Sequence, residues 1–261
     1  IINIYSRSPS LVAMGASTID TISNGRLILG LGTSSSPIVK DLHGQSLTDP
    51  LQRMREYVDI IRLALSGNKI EYDGKIFHLK NFSLLTPPTR KNIPIYLAAI
   101  NKKMLELTWE IADGVIFYLR PKDEMKKTIR EMQKNREIDT SVQIITCIDN
   151  DEEKARSRAK KTLSFYIAVG TIYREFLHDN GYANETEQIF EEYKKSGLES
   201  LENIVPEKML DDLCIAGNPE NSRQKLQEFR DTGIHLPIIQ FNPIGNTATS
   251  FDLLLNTFSG E

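Results

Sequence analysis

Cysteine is nearly missing from this 261-residue chain, and its 2 copies, Cys147 and Cys214, sit in apolar surroundings without a CxxC or Cys/His cluster. A disulfide scaffold is therefore excluded, and two structural thiols in a reducing compartment are expected. Long apolar runs are missing too. The longest near-continuous one, Ile93 to Ile100, carries a proline and has the length of a strand, well short of the ~18 residues of a membrane span. No secretory leader is legible at residues 1–5, because a basic n-region is lacking and Arg7 follows too soon. A cytoplasmic location and no membrane partner are expected. Charge of one sign is not in excess: Lys plus Arg is 32, Asp plus Glu is 35, and the net charge is -3. That is no footprint for nucleic acid. His43, His78 and His178 stand alone, with no HExxH or carboxylate–His spacing, so no metal is expected. A GxSxG nucleophile elbow is also lacking, and no carboxylate pair stands out. The initial Met is absent, and an opening on Ile1 leads us to expect a fragment or a processed form.

What remains is ordinary for a soluble globular protein: 40% hydrophobic, 26% charged, 15 Gly and 11 Pro. No linker, composition shift or repeat divides it, so a single domain over 1–261 is expected. The densest basic run (Lys154, Arg156, Arg158, Lys160, Lys161) follows the acidic triplet Asp151 to Glu153. Acid first and base later complements a helix dipole, and a solvated helix is expected there.

Strand and helix signals alternate along the chain. Residues 1–5 read as the end of a buried strand. Pro9 opens a helix with Leu11, Val12, Ala16, Ile19 and Ile22 at helical spacing, and Asn24-Gly25 stops it. Leu27 to Gly32 has no polar alternation, as in a parallel strand covered on both faces. Pro50 starts the next helix, with Asp49 as its cap and an apolar stripe of Leu51, Met54, Tyr57, Val58, Ile61 and Leu65. Ile70 to Phe77 alternates around Asp73-Gly74, the signal for a hairpin, and Pro87-Pro88 closes that excursion. Strands follow at Ile93 to Ile100, Val115 to Tyr118, Val142 to Ile148 and Leu236 to Phe241. Helices are expected from about Lys102 to Ala112, from Pro121 to about Glu137 and from Phe251 to Phe258. Residues 151–232 read as several helices in succession. Such alternation means α/β with a parallel sheet, either a (β/α)8 barrel or a doubly wound sheet. Long connections after strands favour the barrel, whose site is built from such loops.

Two strand ends could carry chemistry. Gly30-Leu31-Gly32 is followed by Thr33 to Ser36. The third Gly of a dinucleotide fingerprint would fall at Ser35, and no Gly-Lys-Ser/Thr follows, so neither that motif nor a Walker A loop is present. Small residues there let a flat ring or phosphate approach the backbone, or simply form a tight turn. Ala98-Ala99 ends the next strand, and Asn101 is poised to cap the helix from Lys102. Free N–H groups at that end, with Lys102 and Lys103, suit a phosphate; a plain cap is the alternative. His43 in its loop is a weak candidate for a substrate contact.

Taken in order, Asn3 to Pro9, Ala16 to Asp20, Ser23 to Gly32, Arg53 to Tyr57 (R-x-x-E-Y), Gly74 with Phe77, Pro94 to Ala99, Ala112-Asp113-Gly114 and Gly217-Asn218-Pro219 resemble the luciferase-like superfamily. The closer likeness is to its coenzyme F420-dependent methylenetetrahydromethanopterin reductase branch, and it covers essentially the whole chain. The resemblance implies a (β/α)8 TIM barrel, N-terminally incomplete by its first two β/α units, with a long helical insertion at about 149–235 before the last strand. It further implies that a flavin or deazaflavin lies across the C-terminal mouth of the barrel. Asn3, Gly32, Thr33, Ser34, Ala98, Ala99, Ile100, Asn101 and Lys102 would then line the cofactor. Relatives commonly have Ser-Gly or Gly-Gly at the positions of Ile100 and Asn101, so Asn101 and Lys102 would substitute at the phosphate. Acid and base residues of relatives often sit on the second strand, so no catalytic residue is assigned.

The function implied is an oxidoreductase that transfers a hydride between reduced F420 and a small organic or pterin-type substrate. An FMN-dependent monooxygenase and a non-catalytic flavin-binding relative are the alternatives. A small molecule is the expected partner, with a homodimer in keeping with relatives.

Overall fold

The computed structural model describes residues 1–86 and 88–259. Pro87, half of the pair expected to close the hairpin excursion, lies outside the described residues. In chain order the elements are β1 (Ile2–Asn3), α1 (Pro9–Ile22), β2 (Leu29–Gly32), α2 (Pro50–Leu65), β3 (Ile70–Asp73), β4 (His78–Phe82), β5 (Ile95–Ala98), α3 (Lys102–Ile111) and β6 (Gly114–Tyr118). Then come α4 (Lys122–Met132), β7 (Asp139–Ile148), α5 (Glu152–Val169), α6 (Thr171–Leu177), α7 (Ala183–Ser196), α8 (Glu207–Leu213), β8 (Cys214–Gly217), α9 (Pro219–Arg230), β9 (Leu236–Phe241) and α10 (Thr247–Phe258). The fold is α/β with parallel strands and helices. The chain divides into two compact units, Ile1–Ile116 with Arg136–Ile138, and Phe117–Asn135 with Asp139–Glu261.

In the first unit, β1, β2 and β5 pair in parallel and β6 pairs with β5. Leu29, Leu31, Ile95, Leu97 and Val115 are all buried, which is why these strands read as apolar runs. Helix α1 begins as expected: Ser8 Oγ accepts from the Leu11 N–H at 3.3 Å and Pro9 lies in the first turn. It ends where Gly25, at φ 75°, returns its N–H to the Asp20 carbonyl at 2.8 Å. The expected stripe divides, however. Val12 and Ala16 are buried, whereas Leu11, Ile19 and Ile22 are exposed. The buried face runs through Pro9, Val12, Ala13, Ala16, Ser17 and Asp20. It ends on a carboxylate held by Arg90, so the second apolar line faces outward. For α2 the stripe is right at Met54, Tyr57, Val58, Ile61 and Leu65, all buried. Asp49 sits at the cap position but in the left-handed region (φ 45°), and its side chain makes no capping bond. The hairpin of β3 and β4 turns over residues 74–77, wider than the two-residue turn that Asp73-Gly74 signals.

In the second unit, β7 pairs in parallel with β9 over residues 141–146 and with β8 over 145–148. Strand β8 corrects the expectation of helices alone between 151 and 232. Cys214, Ile215, Ala216 and Gly217 are too few to show a strand period, and their apolar character fits a helix end equally well. The core here gathers Ile145, Cys147, Leu163, Ile167, Met209, Leu213 and Cys214. Both cysteines are free and buried, as expected of structural thiols. Asp151 caps α5, accepting from the N–H groups of Glu153 (3.1 Å) and Lys154 (3.3 Å). The basic run behind it is not a solvated face. Arg156 and Lys160 pair with Glu207 on α8, and Arg156 also reaches Asp211 at 2.9 Å. Position along the helix decides this: 156 and 160 share the flank that α8 covers, while Lys154 and Lys161 stay in water.

Candidate functional site

Three parallel strand ends meet in the first unit. Register places Asn3 beside Gly32 and Leu31 beside Leu97, so Asn3, Gly32 and Ala98 end neighbouring strands. A Cβ on Gly32 would lie 2.9 Å from Ile1 Cγ2 and 3.4 Å from the Ala98 Cβ. Close packing by Ile1 therefore accounts for this glycine. Asn3 is more telling. Its Oδ1 accepts from the Tyr5 N–H at 2.8 Å, but its Nδ2 is buried with no hydrogen-bond partner. A buried amide donor without an acceptor costs free energy unless something else accepts from it.

Beyond these ends, Thr33 is half-buried and Ser34 is exposed, in the left-handed region at φ 61°. Ala98 and Ile100 are half-buried, and Ala99 is buried. Asn101 caps α3 as its position suggested, accepting from the Met104 N–H at 3.0 Å. That leaves the first N–H groups of the helix directed outward, flanked by the exposed Lys102 and Lys103. Asn3, Gly32, Thr33 and Ala98 are thus brought together, with the α3 terminus a few residues further along the chain. His43 is different: it is exposed, at the end of a single helical turn, Ile38–Leu42. Among the described residues no group of His, Cys, Asp and Glu could hold a metal ion.

The R-x-x-E-Y segment does structural work. The Arg53 guanidinium lies between two rings, 4.7 Å from the Tyr5 centroid and 5.0 Å from that of Phe77. Tyr57 Oη donates to the Arg7 carbonyl at 3.1 Å. Glu56 is buried, and its carboxylate accepts from Gln52 Nε2 and from the N–H groups of Lys75 (2.8 Å), Ile76 (3.0 Å) and Phe77 (2.9 Å). Burial alone would raise its pKa; the four hydrogen bonds outweigh burial and hold the carboxyl below its ordinary value. The hairpin turn is clamped onto α2 by this one side chain.

The second unit contains a polar cluster that sequence reasoning missed. Tyr118 ends β6, and its ring meets those of Tyr166 and Tyr173 edge-on at 5.2 and 5.3 Å between centroids. Gln143 Nε2 donates to Gln240 Oε1 at 3.0 Å, and Gln240 Nε2 donates to Tyr166 Oη at 3.5 Å. Tyr118 Oη is buried and forms no hydrogen bond of acceptable geometry. Burial, with the Tyr166 hydroxyl beside it, pushes the Tyr118 pKa far up, so the phenol stays protonated. The only signal in the sequence was a polar aromatic closing an apolar strand.

The family profile of luciferase-like monooxygenases matches residues 1–236. The 5,10-methylenetetrahydromethanopterin reductase of Archaeoglobus fulgidus is 31% identical over 94% of this chain and 76% of that protein. The enzyme of the same name from Methanolobus tindarius is 27% identical over 94% and 76%. The structure of the coenzyme F420-dependent tetrahydromethanopterin reductase of Methanopyrus kandleri superposes with a TM-score of 0.81 at 25% identity, covering 97% of this chain and 79% of that one. The chain spans about three quarters of the length of these relatives. It belongs to the luciferase-like monooxygenase family.

Proposed function

We propose that this protein is a coenzyme F420-dependent oxidoreductase that moves a hydride between the deazaflavin and a small, pterin-type acceptor. The observation that carries this reading is agreement along nearly the whole chain with methylenetetrahydromethanopterin reductases, in sequence and in fold. On this reading the parallel strands are those of a (β/α)8 barrel of the luciferase type, and the helices between β7 and β9 are its elaboration.

The residues present fit such a cofactor. The partnerless Asn3 Nδ2 donates a hydrogen bond to a polar edge of the ring. The α3 terminus, capped by Asn101 and flanked by Lys102, receives the phosphate through backbone N–H groups and positive charge. Thr33 and Ser34 supply hydroxyls at the end of β2. Bound F420 supplies the hydride chemistry; the protein supplies position and dry surroundings.

The test is a titration of the purified protein with F420, with reduced F420 plus methylenetetrahydromethanopterin, and with FMN. The expected result is saturable F420 binding and a rise of oxidised F420 absorbance when the pterin is added. Tight uptake of FMN with no response to F420 would overturn the proposal in favour of a flavin monooxygenase.

A further inference from the structure

Arg53 is placed against the interest of its own helix. It lies in the first turn of α2, where the dipole disfavours positive charge, and its Nε is buried with no hydrogen-bond partner. Arg55 and Arg62 on the same helix pair with Glu110 and Asp113. Arg53 is held instead by the rings of Tyr5 and Phe77. A residue that costs its helix stability points to a task outside the helix.

Tyr5 leads from Arg53 to Asn3. A side-chain amide can turn either edge toward a neighbour, and a backbone donor selects the oxygen. The Tyr5 N–H does this at Asn3 Oδ1 (2.8 Å), which turns Nδ2, the donor without a partner, the other way. The Ser6 N–H (3.4 Å) and Oγ (3.1 Å) both donate to the Asn3 carbonyl and close the turn around this contact. Tyr5 is itself buried, donates its Oη to the Thr48 carbonyl at 2.8 Å, and carries the Arg53 guanidinium against its ring. The second ring, Phe77, belongs to the turn that Glu56 clamps, and it meets Tyr57 edge-on at 5.9 Å. The β3–β4 hairpin forms its own small sheet, apart from the parallel one, and so presents a fixed wall to Arg53.

We propose that Arg53 is a positioning residue for the cofactor: braced by Phe77 it holds Tyr5, and Tyr5 holds the Asn3 amide with Nδ2 directed at the deazaflavin ring. This rests on the function proposed above, in which Asn3 donates to F420, and it gives the hairpin a part in binding that cofactor.

The experiment is a double-mutant cycle of Asn3→Ala and Arg53→Met, read by F420 affinity and by amide hydrogen exchange of the cofactor-free protein. Arg53→Met keeps an unbranched side chain between the rings and removes the charge and the buried Nε. Asn3→Ala weakens F420 binding about tenfold, the worth of one hydrogen bond. Arg53→Met weakens it about fivefold, the worth of the lost ring contacts. The double variant binds F420 as Asn3→Ala does, within about twofold, because Arg53 acts through Asn3. Without cofactor, the Tyr5 N–H of Arg53→Met exchanges several-fold faster than in the wild type, while the N–H groups of β2 and β5 keep their rates. Arg53→Lys keeps a cation at the rings but loses the flat plate; it shows the same pattern with a smaller loss, and it carries the test if Arg53→Met does not fold. Losses that multiply in the double variant, or an unchanged Tyr5 exchange rate, overturn the assignment and leave the proposed function standing. Asn3→Ala with wild-type affinity for F420 does the same. Wild-type protein that ignores F420 overturns the proposed function and Asn3 as its donor together, and the exchange rates then decide whether Arg53 holds the Tyr5–Asn3 contact.

Discussion

Asp20 shows how one side chain can hold a helix end in place. Its buried carboxylate receives Arg90 Nε at 3.0 and 2.9 Å, Arg90 Nη2 at 2.8 Å and the Leu27 N–H at 3.3 Å. The Arg90 hydrogen bonds are the main reason its pKa lies below the ordinary value, against the opposing effect of burial. A depressed folded pKa means that this contribution is present above the unfolded value of about 4 and is lost as pH falls through the folded value. Asp20→Asn should cost on the order of 2 kcal/mol at neutral pH, because the partly exposed guanidinium keeps some solvent. It should also flatten the acid limb of stability below about pH 4. Urea denaturation at several pH values reads both effects; an unchanged acid limb would remove Asp20 from the account. At this scale the sequence was readable where a residue acts locally. Asn101 as a cap and Gly25 as a helix stop follow from neighbours three to five positions away. Asp20 with Arg90, Glu56 with the 75–77 turn, and Tyr118 with Tyr166 join residues tens of positions apart, and no short-range pattern carries such pairings.

Among the elements, the α3 terminus carries the Asn101 cap and, on the proposed function, the cofactor phosphate, and a substitution separates the two. Asp caps helices as well as Asn and adds favourable charge at the positive end of the dipole. Asn101→Asp should therefore keep the melting temperature of the wild type. If the cofactor phosphate lies at this terminus, the new negative charge should weaken F420 binding several-fold, and the loss should shrink in high salt. Isothermal titration at two salt concentrations checks this; unchanged affinity would move the phosphate elsewhere. Long apolar strands and proline-opened helices were legible because period and punctuation agree in them. Strand β8 was not, since four apolar residues have no period. The outward line on α1 was not either, since a helix that is apolar on two sides does not tell which side meets the core.

For the whole molecule, the two thiols offer a measurement. Cys147 and Cys214 lie in the second unit's core; burial pushes the Cys147 thiol up to about 12 and Cys214 well above its ordinary value. Thiolate is the reactive form, so both should be silent to a disulfide reagent in the native protein near neutral pH. Two equivalents should react once urea unfolds the chain. Fast labelling of either thiol without denaturant would contradict the packing described. The alternating order of strands and helices, and so the fold class, was legible at this scale because it needs only element types. How the chain divides into two compact units was not, because strand β6 crosses the division without a linker, a proline or a change of composition.

The clamp on the hairpin has one more consequence. Exposed turns are commonly the places where a chain accepts extra residues. This one is held by three consecutive N–H groups converging on a single buried carboxylate. Lengthening the loop between Gly74 and Phe77 would pull at least one of those groups out of reach. For anyone grafting a tag or a reporter onto this scaffold, the tip of this hairpin is the wrong address.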